Sequence, residues 1–235
     1  MPPERARRER IDMAVFGVAP AFVRLSLRLT GADLGAGAAP AAALLRRAGA
    51  AATDLSADDP RLTAWREPYF ALGIPDDVHT PPEALAHWAA LPHGVPSLGP
   101  LSDLVNAFSL QVVAPVAAYD LDAATGDLWL RPSRGIELYQ PLSGEPPSTP
   151  TIGQLLLADS ADQVLALHWH GAPGRGTFVT PASRDVLVQL DLLPPLAEQA
   201  DALGARLARL LTGFLGGTLQ SQRLDRATPL ATWTA

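Results

Sequence analysis

One change of hydrophobic period constrains this chain more than any other feature. Up to Val112 the apolar residues recur at helical spacing: Leu101, Leu104, Val105, Phe108 and Val112 of "LSDLVNAFSLQVV" fall on one helical face. From Ala114 the period becomes two, beginning with "APVAAYDLD", Ala114 to Asp122. Strand candidates then follow as "PVAAYDL", "DLWLR", "IELYQ", "QLLLAD", "QVLALHWH", "TFVT" and "DVLVQLDLL", separated by Gly, Pro, Ser and Asp clusters. Most of the gaps are too short for a helical crossover, so the sheet is predicted to be mixed or antiparallel. The pattern ends in "PPLAEQADALGARLARLLTGFLGG", whose Leu196, Ala200, Leu203, Leu207, Leu210 and Phe214 share a helical face before Gly216 and Gly217 stop it. Helices, then sheet, then helix give an α+β class: a mixed or antiparallel β-sheet, or a barrel-like core, with flanking helices.

The region before the switch is predicted to be a helical lead-in over residues 40–112. "HTPPEALAHWAAL" carries its clearest start, with Thr80 as cap, Pro81 in the first turn and Glu83 at the capping-box position. "SADDPRLTAWREPYFALG" reads as another helix, opened by Ser56 and disturbed at Pro68. Residues 13–30 read as a strand with Val23, Leu25, Leu27 and Leu29 on one face and Arg24, Ser26 and Arg28 on the other. Residues 1–12 read as a basic, flexible N-terminal extension, with Met13 as an alternative start. "PERARRERI" followed by "MAVFGVAPAFV" imitates a signal peptide, but Ile11-Asp12 interrupts the join. One domain is expected over 13–235, with the sheet-rich core at 114–193 and the last helix at 195–215. No stretch is long and apolar enough to span a membrane, so a soluble, cytoplasmic protein with no membrane partner is expected.

Composition narrows the chemistry. The chain has no cysteine, which removes disulfides, thiolate metal sites and thiol nucleophiles together. Its formal net charge is −6, so DNA is not expected as a partner and any RNA contact must be local, with "PERARRERI" the most basic segment. His168 and His170 of "HWHGAPGRG" would share one face of a strand, a spacing that metal sites use, yet no carboxylate follows closely. A hydrogen-bonded or pocket-lining pair is the better reading, and neither a metal nor a cofactor is expected. The glycines of that segment are not followed by a helix, which argues against a phosphate loop. No nucleophile elbow or zincin helix is present. Asp122 and Asp127 suit a hairpin turn, whereas Asp120 would sit at a strand's end.

The segment "PSLGPLSDLVNAFSLQVVAPVAAYDLDAATGDLWLRPSRGIELYQPL" resembles the B-three/B-four tRNA-binding domain of the phenylalanyl-tRNA synthetase β chain and its free-standing relatives. "WREPYFALGI", "PPEAL" and "HWHGAPGRGTFVTPASRDVLV" extend the resemblance over roughly residues 60 to 220. The resemblance implies an editing-type pocket for an aminoacyl group. It assigns Asn106 to the helix asparagine, Tyr119 and Asp120 to an aromatic-acid pair, and Arg131 to the arginine after the next strand. Trp169, Thr177 and Thr180 match the later strand-and-threonine segment. Ala117 stands where the synthetase has a histidine, and Glu137 falls one step late in a "G-E" pair. With His168 and His170, these residues are the candidates for binding substrate or tRNA, and no catalytic residue is assigned.

Two functions follow as expectations. One is trans-editing, in which an aminoacyl-tRNA deacylase hydrolyses the ester at the tRNA 3′ end by positioning water, without tRNA ligase activity. The other is a non-catalytic module that binds an amino acid or a related small molecule. A pocket at the end of the Pro115–Leu121 strand, lined by Asn106 and the His168–Thr180 segment, would favour either over a purely structural role.

Overall fold

The change of period is a physical corner. Residues 6–234 are described by the computed structural model. The helix before the corner ends at Val113, which takes a left-handed φ of 56° and donates its N–H to Ser109 O at 2.8 Å. A β-branched residue pays strain there, and the Ser109 hydroxyl secures the turn by donating to Ala114 O at 2.7 Å. In chain order the elements are β1 (Arg7–Ile11), α1 (Met13–Val18), β2 (Val23–Thr30), α2 (Ala38–Ala52), α3 (Pro60–Thr63), α4 (Arg66–Ala71), α5 (Pro81–Ala89) and α6 (Pro100–Val112). Beyond the corner come β3 (Val116–Asp120), β4 (Leu128–Pro132), β5 (Leu155–Asp159), β6 (Val164–Leu167), β7 (Ala172–Pro173), β8 (Asp185–Leu192), α7 (Ala200–Leu215), β9 (Thr218–Leu224) and β10 (Leu230–Trp233).

Ten strands form two sheets rather than a closed barrel among the described residues. One is four-stranded, in the order β3-β8-β2-β9; the other is six-stranded, β10-β1-β4-β5-β6-β7. All pairings are antiparallel except β1 with β4, which makes the second sheet mixed. The four-stranded sheet lies between two layers. Its outer face buries Val23, Leu25, Leu27, Leu29, Val186, Val188 and Leu190 against α6 and α7, with Ala41 of α2 in the same core. Each such leucine or valine contributes about 1.5–3 kcal/mol by leaving water. Its other face meets the six-stranded sheet, around Ile11, Leu128, Leu130, Leu157, Trp169 and Leu187.

Several local expectations are corrected. Arg7–Ile11 is not a flexible extension but an inner strand of the six-stranded sheet, with Arg7, Glu9 and Ile11 turned inward and Arg8 and Arg10 outward. Residues 1–5 of that expected extension lie outside the described residues. Residues 13–30 are not one strand. Asp12 caps α1 by accepting from Ala14 N at 3.0 Å, and only Val23–Thr30 is extended. The expected second helix divides into α3 and α4, with Asp59 rather than Ser56 as the first cap. At α5, the Glu83 carboxylate accepts from both the N–H and the hydroxyl of Thr80, as its spacing predicts. "IELYQ" forms isolated bridges only, and "TFVT" begins in a short 3-10 turn. β6 stops at Leu167 because His168 and Trp169 take left-handed φ angles of 55° and 70°. The last helix begins at Ala200, and the polar tail after it supplies β9 and β10, which its weak alternation did not reveal.

Candidate functional site

Helices α5 and α6 lean over β3 and leave a cavity of about 450 Å³ between them. Leu85 and Trp88 of α5, Val105 and Asn106 of α6 and the run Val116–Tyr119 of β3 line it. Two further walls come from Tyr139–Ser143 and from His170–Pro173. The cavity therefore runs along the β3 strand instead of lying at its end. Among the described residues lining it there is no aspartate, glutamate, arginine or lysine. Its polar groups are amides, hydroxyls and the imidazoles of His79 and His170.

Three of the expected site residues, Asn106, Tyr119 and His170, face this cavity. The Asn106 amide makes no side-chain hydrogen bond among the described residues, so both its donor and its acceptor are available. Tyr119 is buried on the sheet-facing side of β3, and burial pushes its phenol well above the ordinary value, so it remains a neutral donor. His170 is hydrogen-bonded at one ring nitrogen and faces a carboxylate with the other. Its Nε2 lies 2.9 Å from the Tyr69 hydroxyl, and its Nδ1 lies 3.4 Å from Asp191 Oδ2, longer than a well-formed hydrogen bond. Burial lowers its pKa against the pull of Asp191, which keeps the ring neutral.

Behind His170 stands a buried ionic cluster. Arg24 donates from Nε and a terminal nitrogen to both oxygens of Asp191 at 2.7 Å, and Trp169 Nε1 donates to Asp191 at 3.1 Å. Burial would raise the Asp191 pKa, but Arg24 outweighs it and brings the carboxyl down to about 2. Glu9 reaches in from the other sheet, accepting from Ser26 at 2.9 Å and Gln189 at 2.6 Å. The left-handed pair His168-Trp169 is part of the same arrangement: it turns Trp169 into the inter-sheet core and His170 toward the cavity.

The remaining expected residues are placed elsewhere. Asp120 accepts from the Ser183 hydroxyl and from Asp122 N, which makes it a turn residue. Arg131 lies on the outer face of the six-stranded sheet, paired with Glu137 and Asp162. Glu137 is fully buried and accepts from Ser133 and from the N–H groups of Arg134, Gly135 and Ile136. That nest holds its pKa far below the ordinary range and anchors the segment leading to Tyr139–Ser143, so Glu137 shapes a wall of the cavity without facing it. His168 is half-buried beside Gln154, away from His170, so the expectation that the two histidines share one strand face does not hold. Trp169 is core, the Thr177 hydroxyl is buried outside the cavity, and Thr180 caps an exposed turn. Sequence reasoning missed Trp88, Leu98, Leu142 and Phe178 as lining residues. Trp88 follows Leu85 by three positions, the spacing of one helical face; the others sit in proline- and glycine-rich connections without periodicity.

The chain belongs to a recognised class: the B3/4 domain family matches residues 68–209, which include α5, α6 and all the strands from β3 to β8. Within that family, the phenylalanine–tRNA ligase beta subunit of Methylococcus capsulatus is 32% identical over 142 residues, covering 58% of this chain. The chain spans only 17% of that protein's length. A crystal structure of an N-terminal fragment of the phenylalanyl-tRNA synthetase beta-subunit from Pyrococcus horikoshii aligns over 99% of this chain and 56% of that fragment, at 12% identity and a TM-score of 0.49. Among the described residues, no helix is long and apolar enough to cross a membrane.

Proposed function

We propose that the cavity receives an aminoacyl group whose carboxylate is masked as an ester, as at the 3′ end of a charged tRNA, and that the protein acts on mischarged tRNA in trans. The observation that carries this reading is the lining without acid or guanidinium groups. A free amino acid brings a full carboxylate, which in an apolar site needs a cation beside it; burying it unpaired is costly. An ester lacks that carboxylate, and its α-amino group, with an ordinary pKa not far above 7, can enter uncharged. The Asn106 amide is suited to hydrogen-bond its carbonyl or amine, while Leu85, Trp88 and Val105 take an apolar side chain. With an activated ester, an oriented water and the neighbouring ribose hydroxyl supply the remaining chemistry.

One observation favours a second reading, binding without turnover. His170 is bonded to Tyr69 through Nε2, Asp120 is engaged with Ser183, and β3 carries Ala117 at the cavity, so none of the expected site residues presents a free general base to it, and the exposed imidazole of His79 is the one left lining it. The deciding experiment combines calorimetry with the methyl esters and free forms of leucine and tyrosine, and amino acid release from mischarged tRNA. Esters should bind at least about tenfold tighter than free acids, a difference of about 1.4 kcal/mol. Asn106→Ala should weaken ester binding by roughly a further tenfold, the worth of one hydrogen bond. Preference for the free amino acid would sink the reading; ester binding with no acceleration of release would select the second one.

A further inference from the structure

The outward side of the six-stranded sheet is a second concavity, of about 570 Å³, that the cavity's chemistry does not use. Arg8 and Arg10 of β1 and Trp129 and Arg131 of β4 stand on it, with Arg134 just beyond the strand. The register places Arg10 directly beside Trp129, with its guanidinium carbon 4.7 Å from the ring centroid, while that of Arg131 lies 5.5 Å away. Two arginines of the basic N-terminal stretch, Arg8 and Arg10, are thus assembled with the arginines of a distant segment. The acids here are largely occupied. Asp127 is bound by Arg8, Asp162 by Arg131 and Arg134, and Asp159 accepts from the N–H groups of Thr125, Ala161 and Gln163. Arg10 is exposed and has no acidic partner among the described residues, and the Trp129 indole N–H is buried with no acceptor. Arg8 and Arg134 also leave more than half of their side chains in solvent.

We infer that this face is where the RNA strand lies whose end enters the cavity, an inference that rests on the reading of the cavity as an aminoacyl-ester site. Three features support it. Exposed guanidinium groups are matched to phosphate oxygens. In a chain of net charge −6 any hold on a polyanion must be local, and of the four arginines here, set against Asp127, Asp159 and Asp162, Arg10 is the one without an acidic partner among the described residues. The face also neighbours the cavity within the fold: β4 and β7 are three strand spacings apart in the same sheet, about 14 Å, and the chain leaving β4 at Arg131 and Arg134 runs on to the cavity wall at Tyr139–Ser143.

The test uses the full chain, an unacylated tRNA titrated over a salt series, and tyrosine methyl ester as a probe of the cavity alone. Each phosphate contact should add about −0.7 to the slope of log affinity against log salt. Arg10→Glu should weaken tRNA binding at low salt by roughly tenfold and flatten the slope by about one contact; Arg10→Lys should restore most of both. Neither variant should alter ester binding or the melting temperature. Arg10→Gln serves as the control for strand stability, because it removes charge without adding repulsion. Binding of tRNA that ignores both Arg10→Glu and Arg10→Gln overturns the inference, and so does ester binding with no tRNA binding at all, although that second result leaves the cavity reading standing. Arg10-dependent tRNA binding with no ester binding supports this face while removing the cavity reading.

Discussion

The two faces of the four-stranded sheet are built on opposite principles. Toward the helices, β2 and β8 present Val23, Leu25, Leu27, Leu29, Val186, Val188, Leu190 and Leu192, and nothing polar. Toward the other sheet the same strands present Arg24, Ser26, Gln189 and Asp191, all buried, and they meet Glu9 from β1. An apolar face is non-directional: any well-shaped leucine layer satisfies it. A buried ionic face must be matched group by group, because each unpaired member is costly. That demand recruits β1, fixes Trp169 through Asp191, and sets the Asp191 carboxylate beside the His170 ring. The cavity thus has an exacting support on one side and a forgiving helix layer on the other.

The largest effect should come from removing the first twelve residues. That change deletes β1, takes Glu9 from Ser26 and Gln189, and separates β10 from β4. A chain beginning at Met13 should show no cooperative thermal transition by circular dichroism; a transition within a few degrees of the full chain would mean that the ionic face does not need its partner. Next comes a matched pair of substitutions, one for each face. Asp191→Ala leaves Arg24 buried and unpaired and should cost about 3–5 kcal/mol, while Leu27→Ala on the opposite face should cost about 2–5 kcal/mol through lost burial and a cavity. Denaturant unfolding gives both values. What separates them is the ligand: Asp191→Ala should also lower ester affinity, because His170 loses the carboxylate beside it, whereas Leu27→Ala should leave it within twofold. Equal effects on binding would erase the distinction between the faces.

The forgiving face was the legible one. Alternation along β2 and β8, the stripes of α6 and α7 and the Thr80–Glu83 box are local patterns, and each marks where a helix or a sheet face becomes apolar. The ionic face was not legible, because its members are scattered over Glu9, Arg24, Gln189 and Asp191 and only pairing brings them together. A glutamate among arginines at the N-terminus looks like a solvated tail until β4 and β10 close around it. The site divides in the same way. Asn106 and Tyr119 sit on elements with strong periodicity, and the resemblance pointed to both of them. Asp120 and Glu137 had the right chemistry for a site, but turn and nest geometry direct them elsewhere. His168 was misplaced because two consecutive left-handed residues broke a strand that looked unbroken in sequence.

The smallest expected effect is also the one that tests the ionic face most selectively. Burial raises the Glu9 pKa above its ordinary 4.5, with Arg24, Ser26 and Gln189 opposing and Asp191 adding to the rise. A group whose folded pKa is raised contributes stability in full below its unfolded value and loses it as pH rises through the folded value. Asp191 behaves in the opposite sense: held at about 2, it contributes fully above its ordinary 3.8 and loses that contribution as pH falls toward about 2. Glu9→Gln fixes a neutral side chain of the same shape. Its stability relative to the parent should be flat at and below pH 4.5 and should climb above it, as the parent ionises Glu9 and the variant does not. Asp191→Asn should show its pH dependence only below about pH 4, where the parent alone is losing stability. A Glu9→Gln difference that stays flat from pH 4 to 8 would mean that Arg24 fully compensates for the burial of Glu9, and that the inward face is electrostatically as forgiving as the apolar one.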